Sequence, residues 1–132
     1  MKHGPLYDFF KAEHRRLESL LNQATTTSGE IQEEVYAKFL SEMSRHISLE
    51  EKILLPEVLK TRLAKHFTLA AVVRWDHQAI ELSLGKPPSP QVIAALRTIL
   101  TTHNQKEEMA GGLFEVCEQV LGDKVQSILG RI

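Results

Sequence analysis

Apolar residues recur at intervals of three and four along nearly the whole chain: Leu6, Phe9, Phe10, Leu17, Leu20 and Leu21 near its start, and Leu96, Ile99 and Leu100 further on. This is the period of helices with one buried face, and no stretch shows the alternation of a strand. Pro5 suits the first turn of a helix running to about Ala24, which ends in the turn formers Thr25 to Gly29. Thr27 followed by Glu30 has the form of a capping box, predicting a second helix from there to at least Leu55. Pro56 removes a backbone donor, so residues 57–65 read as a kinked continuation or a separate short helix. A third helix is predicted from Thr68 to Leu84, and the run Gly85 to Pro90 is a loop. A fourth follows from Pro90 to about Ala110, and Gly111 and Gly112 separate it from an apolar tail, interrupted at Gly122, of one or two short helices. Short connections between helices about 30 Å long force antiparallel neighbours. The expected fold is therefore all-α: an up-down-up-down four-helix bundle with a short C-terminal helical extension, one domain over 1–132.

Composition narrows the function without assigning it. Sixteen Lys+Arg nearly cancel seventeen Asp+Glu in 132 residues, so no global field draws the chain to nucleic acid or an anionic membrane. Apolar runs fall far short of a bilayer span, and MKHGPLYDFF lacks the apolar core of a signal peptide, so a cytoplasmic location is expected. The single Cys117 allows no internal disulfide and reads as a small buried hydrophobe. Six histidines remain to be explained.

The two halves of the chain resemble each other. Glu13-His14-Arg15-Arg16-Leu17-Glu18 aligns with Asp76-His77-Gln78-Ala79-Ile80-Glu81, and His46-Ile47-Ser48-Leu49-Glu50-Glu51 aligns with His103-Asn104-Gln105-Lys106-Glu107-Glu108. The chain thus reads as a duplicated helical hairpin. Each of these four histidines has a Glu four residues later, on the same helix face, where both side chains reach one metal or adjacent metals. Apolar neighbours, such as Phe10 and Leu17 around His14 or Phe39 and Met43 around His46, point the rings inward. An inward His–Glu pair without a cation carries a large desolvation cost. Imidazole with carboxylate suits iron, manganese or zinc, and six or more donors overfill one ion but serve two with shared carboxylates.

No acidic residue lies three positions before any of the four histidines, so the pattern is His-x-x-x-Glu and not Glu-x-x-His. With His46-Ile-Ser-Leu-Glu-Glu-Lys-Ile-Leu-Leu-Pro56, the chain from roughly Tyr7 to Leu113 resembles the hemerythrin-like, HHE cation-binding family. The resemblance implies a metal site of His14, His46, Glu50, His77, His103 and Glu107, with the two glutamates bridging two iron ions; zinc or manganese are possible substitutes. It implies binding of, or reaction with, a small ligand such as dioxygen, nitric oxide or peroxide. The alternative is an iron- or oxygen-responsive sensor or iron-handling module without turnover. Oxygen-carrying members have a further histidine where this chain has Val73, and the fourth helix carries Gly111-Gly112-Leu113 in place of the family's second proline. No Ser-His-Asp arrangement or separate nucleophile is evident.

The remaining polar residues are assigned lesser roles. Glu18 and Glu81 are candidates for hydrogen bonds that fix the imidazoles, Glu81 also for direct ligation. Glu51 and Glu108, one step round the helix from the bridging positions, are expected in solvent or behind the ligands. His3 and His66 are not expected to bind metal. Tyr7 and Trp75 are expected to pack in the core, Tyr7 with its hydroxyl near the metal pocket.

Overall fold

The computed structural model describes residues 3–132. Its long helices are α1 (Pro5–Gln23), α2 (Glu33–Leu49), α4 (Ala64–Leu84) and α5 (Pro90–Glu108), and its short ones α3 (Leu55–Leu59), α6 (Leu113–Leu121) and α7 (Val125–Gly130). The long helices form a closed square in the order α1, α2, α4, α5. The short α6 and α7 fold back over one end, α6 touching α1, α3 and α5. The bundle with its C-terminal extension is as the periodicity predicts. No strand occurs among the described residues, only an isolated bridge between Thr25 and Ile31, and no helix is long and apolar enough to cross a membrane.

Local chemistry sets the helix ends. At α5, Ser89 Oγ accepts from the Val92 amide at 3.1 Å while Pro90 occupies the first turn, where its missing N–H costs nothing. At α1 the cap is tertiary: Gly4 has no side chain to offer, and Glu118 of α6 accepts from the Tyr7 amide at 2.9 Å. A Cβ on Gly4 would lie 2.3 Å from the Glu118 carboxylate, so the glycine is what admits this cap. The capping box expected at Thr27 and Glu30 does not form. Thr26 takes the Glu30 amide on Oγ1 at 3.0 Å and exchanges backbone bonds with Glu30 and Gly29, closing a loop that delays α2 to Glu33. The third long helix begins four residues earlier than expected, at Ala64, because Arg62 adopts a left-handed conformation (φ 58°) and completes the reversal by itself.

Pro56 does not break the second helix outright. Residues Glu50–Leu54 form one widened, π-type turn between α2 and α3, with the Leu55 amide donating to the Glu50 carbonyl five residues back. A proline in a regular helix would meet the carbonyl four residues before it, and the widened turn relieves that conflict. Its first residue is Glu50.

The core is layered. One apolar cluster includes Leu17, Tyr36, Phe39, Met43, Ile80 and Leu96; the other, under α6 and α7, includes Leu6, Phe10, Leu54, Val73, Leu113 and Phe114. Between them every long helix contributes buried polar residues: His14 from α1, His46 from α2 with Glu50 just beyond it, His77 from α4, and His103 and Glu107 from α5.

Candidate metal centre

The i, i+4 spacing brings His46 and Glu50 to one face of their helix, and His103 and Glu107 to one face of α5. His14 and His77 enter from α1 and α4. The structure brings all six together at one level of the bundle, as two sets of four: His14, His46, Glu50 and Glu107, and His77, His103, Glu50 and Glu107. Within each set the candidate ligand atoms lie within 4.8 Å of one another.

The two glutamates are shared, oxygen by oxygen. Glu50 Oε2 faces His46 Nε2 at 2.9 Å and His14 Nε2 at 3.9 Å, while its Oε1 faces His77 Nε2 at 2.8 Å. Glu107 Oε1 faces His14 Nε2 at 3.1 Å, and its Oε2 faces His103 Nε2 at 3.1 Å and His77 Nε2 at 3.8 Å. Each set thus has two imidazoles and one oxygen from each carboxylate, the pseudo-twofold arrangement that the sequence repeat implies.

The outward ring nitrogens have carboxylate partners too. His14 Nδ1 donates to Glu108 Oε2 at 2.7 Å, His77 Nδ1 to Glu51 Oε2 at 2.7 Å, and His103 Nδ1 to Asp76 Oδ2 at 2.9 Å; His46 Nδ1 lies 3.5 Å from Glu13 Oε1. These pairs close a ring round the bundle: α1 supplies the carboxylate for the α2 imidazole, the turn after α2 for α4, α4 for α5, and α5 for α1. Such partners fix the tautomer, leaving Nε2 free to point inward. Three of the four also meet a cation: Glu13 with Arg16 at 2.5 Å, Glu108 with Arg15 at 2.5 Å, and Asp76 with Lys106 at 3.1 Å.

Sequence reasoning did not assign Glu13 or Asp76 a role, although the repeat carries their signal as an acid immediately before His14 and His77. Glu51 and Glu108 lie behind the imidazoles. Glu18 and Glu81 do not: Glu18 accepts from Asn104 at 3.1 Å, and Glu81 is exposed on α4. Tyr7 is buried, its hydroxyl donating to the Glu108 carbonyl and its ring meeting Phe114 edge-on. His3 stacks on Tyr7, and His66, buried at the start of α4, bonds Thr61 through Nδ1 at 2.7 Å. Trp75 is not a core residue. It is 75% exposed, because the face opposite His77 on α4 looks into solvent.

Electrostatics favours cations in the middle. Burial pulls the His46 pKa down, but Glu50, Glu13 and Glu107 outweigh it and take it up to about 10. Burial likewise lowers that of His77, and Glu107 and Glu50 overcome it, to about 11. Glu107 is held well below the usual carboxylate range: burial opposes its ionisation, and His103, His14 and His77 prevail. The His46 ring, against burial and helped by Arg16, holds Glu13 down to about 2. Even so, His14 Nε2, His46 Nε2, His103 Nε2, Glu50 Oε2 and both Glu107 oxygens are buried with no hydrogen-bond partner. Unpaired buried donors and acceptors are costly, and a cluster of imidazole and carboxylate atoms at one level is a donor set that cations satisfy. The residues therefore fit a metal centre of oxygen and nitrogen ligands.

The family described as hemerythrin HHE cation binding domain matches residues 6–122. No curated protein and no solved structure gives a match.

Proposed function

From the premise that the chain belongs to the hemerythrin HHE cation-binding domain family, we propose that it is a non-haem di-iron protein that binds or reacts with a small ligand: dioxygen, nitric oxide or hydrogen peroxide. The observation that supports this reading is the set of buried, unpartnered, inward-facing nitrogen and oxygen atoms in two four-residue groups, four of them in the group of His14 and His46 and two in that of His77 and His103. His14 and His46 would hold one ion and His77 and His103 the other, with Glu50 and Glu107 shared between the two groups. Iron held there supplies one-electron chemistry and ligand positions open to a small molecule.

The chain's own part is to hold, orient and exclude. Glu108, Glu51, Asp76 and Glu13 orient the four rings from behind. Phe114 lies 5.0 Å from the His14 ring and Phe10 5.8 Å from that of His46, so one side of the site is aromatic and favours a small, weakly polar ligand. Val73, buried in the apolar cluster, offers no donor where the oxygen carriers have another histidine. Both halves then rely on two imidazoles, leaving more of the shell to exogenous ligands than in a carrier.

Metal analysis and the visible spectrum of aerobically purified protein test the proposal. The expected result is two irons per chain with the absorption of a bridged diferric pair, and sharply lowered iron in His46→Ala and Glu107→Ala. Negligible iron after anaerobic reconstitution overturns it. Catalytic consumption of peroxide or nitric oxide by the loaded protein supports reaction, and strictly stoichiometric consumption supports binding alone.

A further inference from the structure

Helix α4 turns His77 to the core and an apolar stripe to solvent. Phe67, Trp75 and Leu82 are 48%, 75% and 73% exposed, and their spacing places them on one face over about 22 Å. Exposed large hydrophobic side chains are concentrated here: Leu63, Phe67, Val72, Trp75 and Leu82 all lie on α4 or immediately before it, with Met109 the exception among the described residues. A contiguous apolar face of this kind marks an interaction surface.

Two features say what covers it. A shallow, open hollow of about 400 Å³ lies beside Gln78, Glu81 and Leu82, one to two turns along the same face from the protruding Trp75. On one flank of the stripe Arg74 and Glu81 stand seven residues apart, both exposed and neither in a salt bridge within the described residues. Trp75 and the hollow, three to seven residues further on, and Arg74 and Glu81, seven residues apart, are thus each disposed about a point near Gln78. A twofold axis there exchanges both pairs at once, which is the requirement of an isologous interface. A parallel twofold pairing would set Trp75 against Trp75 and leave Arg74 and Glu81 of the two copies on opposite flanks, where they cannot meet.

We propose that this face joins two copies of the chain, α4 packed antiparallel on α4, each Trp75 seated in the other copy's hollow beside Leu82 and each Arg74 facing the other copy's Glu81. The surface is separate from the metal centre, so the proposal does not depend on which metal or ligand the core takes.

Trp75 is the chain's sole tryptophan, so its fluorescence reports on the face directly. Sedimentation equilibrium of the full chain should give a dimer, and Trp75 emission should shift to the blue and lose acrylamide quenching as concentration rises. Trp75→Glu should be monomeric, with helical circular dichroism and metal content unchanged. Arg74→Glu and Glu81→Arg should each weaken association about tenfold or more, and the double variant Arg74→Glu/Glu81→Arg should recover it. A monomer at ~500 µM, where even a Kd of ~100 µM would show, overturns the proposal; so does a dimer that survives Trp75→Glu. Failure of the double variant to recover refutes the antiparallel register, and capture of a different partner by a chain that stays monomeric refutes self-association.

Discussion

Substitution of Glu108 separates the two things an outer carboxylate does for an imidazole. Its Oε2 accepts from His14 Nδ1 at 2.7 Å and from Arg15 at 2.5 Å, with the His14 ring almost wholly buried. Glu108→Gln keeps an acceptor oxygen but removes the charge, whereas Glu108→Ala removes both. Loss of such a partner costs about 10–100-fold in metal affinity, or about 1.4–2.7 kcal/mol. Arg15 already offsets part of the Glu108 charge, so the glutamine variant should fall near tenfold. The alanine variant leaves a buried N–H unpaired, about 1–3 kcal/mol by itself, and frees the ring to turn, so it should approach a hundredfold. Competition against a chromophoric chelator at fixed pH measures both, with Glu81→Ala, exposed and remote from the rings, as the control expected within about twofold of wild type. If both Glu108 variants also bind within that margin, the outer carboxylates do not act through Nδ1. If glutamine loses as much as alanine, orientation contributes nothing beyond charge.

Other expectations follow from the same geometry. A Cβ on Gly112 would lie 2.3 Å from the Lys106 carbonyl oxygen and 2.8 Å from that of Glu107, so Gly112→Ala must push back the turn that carries Glu107 and Glu108; it should cost about 1–3 kcal/mol in urea denaturation and lower metal stoichiometry, and an unchanged metal content would refute the link. In the demetallated protein, His46 and His77, raised from 6.5 to about 10 and 11, contribute stability that is complete below pH 6.5 and lost as pH climbs through those values; Glu13, lowered from 4.5 to about 2, contributes stability present above 4.5 and lost on acidification through 2. These groups place the maximum between pH 4.5 and 6.5, to be checked by urea midpoints across pH, while metal affinity should rise with pH because binding displaces the histidine protons. His66→Ala should lose about 1–2 kcal/mol of stability with the Thr61 bond and leave metal content unchanged; a fall in bound metal would mean that the wrong histidines have been grouped.

The repeat made much of this protein legible without coordinates. Helical periodicity located the four long helices because each buries one face in a shared core, and the His-x-x-x-Glu spacing marked four histidines that those faces carry inward together with Glu50 and Glu107, whereas Glu18 and Glu81 of the same pattern stay outside. Local signals were less reliable where a tertiary contact competed. The Thr27–Glu30 pattern lost to a closed loop centred on Thr26, the start of α1 is capped by Glu118 from a helix more than a hundred residues away, and Pro56 is accommodated by a widened turn. Trp75 was expected to pack inside, yet only the tertiary structure shows that its face of α4 has no neighbouring helix among the described residues.

The sequence by itself determined which side chains share a helix face, since i to i+4 spacing is a property of one helix and needs no partner. It could not decide which oxygen of Glu50 meets which imidazole, or that Glu13, Glu51, Asp76 and Glu108 each serve the histidine of the next helix round the bundle. Those relations run between helices, and they depend on the relative rotation and height of four rods, which the packing of the two apolar layers sets.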